Sequence, residues 1–359
     1  REMGVAADAT CIQFRMLNTG KGPAVHSLRG QADKKEYQKH MRRALESEPN
    51  LDILQAEACD IVREDGVIRA VTTTTGARYD TKSVVVATGG FAANVELRSA
   101  YNTQWADLGD SIKSTNHAGA TGDGIKMLQK LGADFVQMGN IQLLPLGDPV
   151  TGSLSGNIEH DVETRIFINK EGKRFVQEDG RRDTICLAVL QQTDSMFYFL
   201  ESADGDYVDI DTAKSADGFS LRYLEEQGYI VVADTLDEMA EKLGMDADTL
   251  KATVDSFNAS VEAGEDKDGL GRTLFSTQLT KGPWVATPRT ACLHHTMGGV
   301  TIDTACRVMN EGGEAIKGLY AAGEITGGIH GANRLGGNAV VDTVVFGKLA
   351  GETIMADAQ

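Results

Sequence analysis

The stretch from Gly323 to Val340, GEITGGIHGANRLGGNAV, constrains the fold more than any other, because six of its eighteen residues are glycine. Glycine loses more backbone freedom on folding than any other residue, so such a cluster marks positive φ angles or backbone lying directly against a ligand. The run GLYAAGE precedes it at residues 318–324, and NAVVDTVVFGKLAGETIMADA follows at 338–358. This reads as a buried strand, a glycine loop and a helix with an apolar stripe. Loop amides and the helix N-terminus would then point at one place, offering partial positive charge to a phosphate or to the pyrimidine edge of a reduced flavin. Arg334 adds a full charge.

A second run of this kind, SVVVATGG at 83–90, is β-branched and ends in two glycines, as expected of a buried parallel strand whose carboxyl end meets a ligand. The two glycine-ended strands, 84–90 and 318–323, are expected in one sheet of an α/β fold. Between them the texture changes over 139–293. RIFINKEGKRFV reads as a hairpin with a Lys-Glu-Gly turn, and DTLDEMAEKLGMDADTLKATVDSFNASVEAG as two helices, the first capped by Thr235 or Asp234. Such a block reads as an inserted second domain. Near the start, residues 34–48 read as an exposed amphipathic helix, LDILQAEACDIV as strand-like, Glu64-Asp65-Gly66 as a turn, and VIRAVTTTT as a strand.

Charge narrows the partners. Lys plus Arg number 35 against 52 Asp plus Glu, a net −17, which argues against nucleic acid or an anionic membrane and for a small ligand. The cysteines Cys11, Cys59, Cys186, Cys292 and Cys306 are odd in number and form no C-x-x-C or C-x-x-C-H. Neither a zinc ribbon nor a covalent haem is signalled, and a reducing compartment fits. No apolar run approaches the ~18 residues of a membrane span, so membrane insertion is not expected.

Two polar clusters stand out. In CLHHTMGGVTID, 292–303, the adjacent His294 and His295 cannot share one face of a strand. That makes metal binding unattractive and anion binding by one imidazole the better fit, the other being a satisfied core histidine. In FVQEDGRRDT, 175–184, Arg181 and Arg182 sit at a predicted helix start, where the helix dipole disfavours them. Ion pairing with Asp179 or Asp183 is one explanation, and a functional role is the other.

Together, VVVATGGFAAN, STNHAGATGDG, INKEGKRFVQE, RRD, HHTMGGVTIDT, GLYAAGEITGGIHGANRLGGNA and the closing helix resemble the soluble fumarate reductase flavoproteins of the flavocytochrome c type and the urocanate reductases. The resemblance runs from residue 83 to residue 359. It implies FAD as cofactor, a doubly wound FAD-binding domain formed by 1–138 and 294–359, and an inserted α+β capping domain, 139–293. It also implies a small unsaturated carboxylate as substrate, an external electron donor, and a bacterial cytoplasmic location with a periplasmic one left open. Residue by residue, Arg182 becomes the proton donor, and His294 and Arg334 hold a substrate carboxylate. Thr88, Gly89, Gly90, Asp123, Gly323, Glu324 and the backbone of Gly336, Gly337, Asn338, Ala339 and Val340 lie against the flavin.

This sequence also departs from that pattern. Fumarate reductases of the family carry a histidine before the proline of the stretch matching IQLLPLG, where this chain has Leu144. An arginine of their proton relay falls near Asp161, with Glu159 left as the relay carboxylate. Residues 1–79, notably DATCIQFRMLNTGKGPAV, instead resemble the FAD enzyme that modifies the wobble uridine of tRNA, which makes the chain look composite. The opening G-x-G-x-x-G of either family is not found, since TGKGPAV lacks its last glycine. The expected activity is FAD-dependent reduction of the C=C bond of an α,β-unsaturated carboxylate, urocanate-like or acrylate-like, or fumarate. The alternatives are a related flavin dehydrogenase of the ketosteroid type working oxidatively, and a partial, weakly flavin-binding domain without catalysis.

Overall fold

A computed structural model describes residues 1–18, 22–154, 156, 162–205, 209–215, 218–275 and 277–358. The chain divides into two units, one of Arg1–Leu97, Ala120–Ile141 and His295–Gln359, the other of Arg98–Gly119 and Gln142–His294. The second unit is built around one five-stranded sheet, whereas the described strands of the first form several smaller sheets.

In the first unit, helix α1 (Glu2–Thr10) leads into a hairpin of β1 (Cys11–Leu17) and β2 (Ser27–Ala32). Helix α2 (Lys34–Glu46) follows, with no buried residue. The side chain of Asp33 caps it, accepting from the Lys35 and Glu36 amides at 2.9 Å. Strand-like LDILQAEACDIV becomes strand only from its eighth residue. Residues 51–57 carry no regular structure, and Leu51, Ile53 and Leu54 are exposed. Apolar content alone makes no strand where there is no neighbouring edge to bond to. Strands β3 (Ala58–Glu64), β4 (Val67–Thr73) and β5 (Arg78–Asp80) form an antiparallel sheet. The first turn of that sheet places Asp65 at φ 51° and Gly66 at φ 79°, the left-handed pair that a tight hairpin demands.

Strand β6 (Val84–Val86) is the first glycine-ended strand. After α3 (Val95–Ala100), α4 (Asp123–Lys130) and β7 (Phe135–Val136), the first unit resumes beyond the insertion with β13 (Gly299–Val300), β14 (Arg307–Met309), β15 (Ala315–Ala321) and α9 (Asn338–Asp357). Strands β15 and β6 pair in parallel, Leu319 opposite Val84 and Ala321 opposite Val86. Both glycine turns therefore leave the same end of one sheet, although more than two hundred residues separate them. This is the frame on which the candidate site is built.

The second unit holds β8 (Ile141–Gly147), β9 (Arg165–Ile168), α5 (Arg182–Leu190), β10 (Met196–Glu201), α6 (Leu221–Glu226), β11 (Val231–Ala233), α7 (Leu236–Leu243), α8 (Ala247–Ala263) and β12 (Trp284–Thr296), whose last residues pass into the first unit. Its sheet has the order β11-β12-β10-β9, with β8 also on β12. Thr235 caps α7 and Asp246 caps α8 by side-chain bonds, and Gly244 and Gly264 end them in the left-handed conformation. Both helices pack their apolar faces on the sheet through Met239, Leu250, Val254 and Phe257 against Ile166, Leu200 and Trp284.

Candidate active site

At the carboxyl end of the β6/β15 pair, the chain turns through Gly89 at φ 75° and Gly323 at φ 80°. A β-carbon on Gly90 would fall 2.0 Å from Thr296 Oγ1 and 2.6 Å from Glu324 Oε1. Gly90 is thus needed so that strand β6 can approach these two side chains. Thr296 donates to Glu324 Oε1 from its amide at 2.9 Å and from its hydroxyl at 3.1 Å. Burial pushes the Glu324 carboxyl up, against the pull of those two bonds, of Arg334 and of His330.

The second histidine of the HH pair is buried beside Glu324, His295 Nδ1 lying 3.6 Å from Oε1. Its ring meets that of His330 edge to face at 5.4 Å between centroids. His330 Nε2 in turn donates to Asp342 Oδ2 at 3.1 Å. Arg334 is buried on the glycine loop and donates from Nη1 to the Leu335 carbonyl at 3.0 Å. Thr296, Glu324, His295, His330 and Asp342 thus form a connected polar cluster, with Arg334 acting electrostatically on Glu324.

Thr88 lies against Gly124 of α4, Gly336, Gly337, Asn338, Ala339 and Val340 span the end of the glycine loop and the start of α9, and Asp123 opens α4, accepting a bond from the Thr121 hydroxyl. Several features here suit a flat, electron-rich ring. Gly89 has nothing within 4 Å of the place a β-carbon would take. The N-cap of α9 is Gly337 at φ 86°, no side chain caps it, and Gly337, Asn338 and Val340 are exposed. The Asn338 amide donates to the Leu335 carbonyl at 3.4 Å, and the amides that follow it at the start of this twenty-residue helix have no side-chain cap. The residues present fit a flavin at this end. Elsewhere, Gly22 at φ 91° starts a single 3-10 turn, Pro23–Val25, that runs into β2 rather than into an α-helix.

Within the second unit, Arg182 is the first residue of α5 and is half-buried. Its neighbour Arg181 is exposed and donates to Asp183 from Nε at 3.1 Å and from Nη2 at 2.7 Å, so the ion-pair explanation applies to Arg181. Asp179 accepts from the Thr273 amide and hydroxyl at 2.8 Å and binds neither arginine through any described hydrogen bond. The Arg182 charge also acts on the Cys186 thiol one turn on, which burial pushes well up. His294, half-buried, shares a 2.7 Å hydrogen bond between Nδ1 and Thr115 Oγ1. Leu144 is buried on β8. Glu159 and Asp161 lie outside the described residues, and among the described residues no group of His, Cys, Asp and Glu could hold a metal ion. Nor is any described helix long and apolar enough to cross a membrane.

Sequence reasoning missed the parts played by Thr296, His330 and Asp342. Asp342 stands inside an apolar run, NAVVDTVV, where the stripe expected to be buried is the exposed one. Val340, Val341, Val344 and Val345 face out while Asp342 faces in. A carboxylate interrupting such a run was the available signal.

A family model described as FAD binding domain matches residues 24–340. The chain belongs to that family. Its cofactor is FAD. The matched range takes in residues 24–79, part of the segment whose sequence resembles the tRNA-modifying enzyme. Among curated proteins, an NADH:acrylate oxidoreductase of Vibrio harveyi is 43% identical over 270 residues, covering 75% of this chain and 26% of its own length. A urocanate reductase of Eggerthella lenta is 39% identical over 295 residues, covering 80% of this chain and 47% of its own. The chain thus spans less than half the length of either relative. A solved open conformation of a flavocytochrome c3 fumarate reductase superposes on 99% of this chain and 62% of its own with a TM-score of 0.76 at 29% identity.

Proposed function

We propose that this chain is an FAD-dependent reductase of the C=C bond of an α,β-unsaturated carboxylate. The observation that carries the reading is the cluster at the carboxyl end of β6 and β15, where Thr296 holds Glu324 and Arg334 acts on its charge, together with an α9 N-terminus that no side chain caps. The names of the relatives, reductases of acrylate, urocanate and fumarate, support it. In this reading FAD is held by the domain formed of 1–138 and 294–359, and 139–293 forms the capping domain; the compact units differ from that division in that 98–119 cluster with the second unit.

Bound and reduced, FAD supplies a hydride for the β-carbon of the substrate. His294 and Arg334 hold the substrate carboxylate and stabilise the negative charge that develops on it. Arg182 donates a proton to the α-carbon, so that hydride plus proton convert C=C to CH–CH. An arginine, with a pKa above about 12, gives up a proton only to a strong base, and a developing carbanion is one. Glu159 is the carboxylate assigned to return the proton. Electrons reach the chain from an external donor.

Leu144 points to the finer substrate class. A second carboxylate buried against leucine would be desolvated without a partner, whereas an apolar, aryl or imidazolyl far end is tolerated. Steady-state assays with an artificial reductant should give kcat/KM at least about tenfold higher for an aryl or imidazolyl acrylate than for fumarate, a gap of ~1.4 kcal/mol. A preference for fumarate would remove Leu144 from the substrate site.

A further inference from the structure

The inverted face of α9 asks for an explanation. Four valines of its first half are exposed, and the residue turned inward is a carboxylate, Asp342. Burying a carboxylate is unfavourable unless it is bonded. Asp342 Oδ2 accepts from His330 at 3.1 Å, and Asp342 Oδ1 has no partner among the described residues. The side chains of His330 and Asp342 are 9% and 4% exposed, so water competes little for the bond.

What the bond holds is the loop between Thr326 and α9, which contains Gly327, Gly328, Gly331, Gly336 and Gly337. A loop of this composition has a large conformational entropy to lose. At its start, the Gly327 amide donates to the Val300 carbonyl at 3.0 Å. Further on, Asn140 Nδ2 donates to the Gly331 carbonyl at 3.3 Å. His330 lies next to that second anchor, and Arg334 lies four residues further along.

We propose that Asp342 is a positioning residue. Through His330 it fixes the glycine loop in the shape that presents Arg334, and so governs how tightly a substrate carboxylate is held. The effect on substrate rests on the reading of Arg334 given above; the effect on the loop does not.

The test uses the full chain loaded with FAD. Amide hydrogen exchange over residues 329–337 is measured alongside flavin content and the KM and kcat for an imidazolyl acrylate. In Asp342→Ala the loop amides should exchange about tenfold faster, and KM should rise about tenfold with kcat changed less than about threefold. Flavin content should stay at the wild-type level. Asp342→Asn, which keeps an acceptor for His330, should fall closer to wild type, and His330→Ala combined with Asp342→Ala should add nothing to either single change. His330→Gln and Asp342→Asn replace the alanine variants should those not fold. Unchanged loop exchange, or additive single changes, would overturn the proposal. If the wild type reduces no unsaturated acid while the exchange results hold, the reading of Arg334 fails and the hold of Asp342 on the loop stands.

Discussion

Both units bury charge, and one cluster in each holds it differently. In the second unit, Arg174 donates to Glu178 from Nε and Nη2, each at 2.7 Å, and its Nη2 lies 2.7 Å from Asp268 Oδ2. Arg272, fully buried, donates to the carbonyls of Leu274, Arg165 and Val162 at 2.8, 2.7 and 2.6 Å, with its guanidinium 4.8 Å from the Phe257 ring centroid. In the first unit, Glu324 is pushed up by burial, Asp342 keeps an oxygen without a partner among the described residues, and α9 has no side-chain cap. In the first cluster the central guanidinium, Arg272, has every nitrogen bonded to a carbonyl. The second cluster keeps hydrogen-bonding capacity, which suits a site that awaits a ligand.

The sharpest contrast is between two arginines of the second unit. Arg182→Gln should lower kcat about a thousandfold, ~4 kcal/mol of transition-state stabilisation, with flavin content and melting temperature close to wild type. Near-normal turnover would make Arg182 another structural arginine. Arg272→Ala should do the reverse. It removes one of the two arginines beside Glu178 and leaves three carbonyls without their donor, costing about 3 kcal/mol of stability in denaturant titration. A variant as stable as wild type would show that the network is not what holds this unit.

Glu324 gives a smaller effect with a definite sign. Its folded pKa is raised, so the folded state holds the proton more tightly than the unfolded chain does. The associated stability is fully present below the ordinary carboxylate value of about 4.3 and is lost as pH rises through the raised one. The stability of wild type minus that of Glu324→Gln should therefore fall as pH increases over that window, read from denaturant midpoints. A difference that is flat with pH would place Glu324 in a more solvated setting.

Sequence legibility follows the range of the interaction. The caps of α2, α7 and α8, the Asp65-Gly66 turn and the strand-to-glycine pattern are local chemistry, readable within a few residues. The parallel pairing of β6 with β15 was readable because two distant segments carried the same pattern. Arg272 bonding to Val162 and Arg165, about a hundred residues away, left no such repeated mark. Nor did His330 and Asp342, which stand twelve residues apart on a loop and a helix. For Gly90 the sequence suggested contact with a flavin, whereas the structure shows a reason the sequence could not, the approach of Thr296 and Glu324.

The central claim is that this chain, carrying reduced FAD, passes its electrons to the double bond of an unsaturated carboxylate. Its most direct test is anaerobic mixing of the FAD-loaded, dithionite-reduced chain with one equivalent of an imidazolyl or aryl acrylate, following flavin absorbance near ~450 nm and the saturated acid by mass spectrometry. The account predicts return of the oxidised flavin spectrum with one saturated acid formed per flavin. A flavin that stays reduced before every unsaturated acid offered, or an oxidised one that is bleached by a ketosteroid instead, would contradict it.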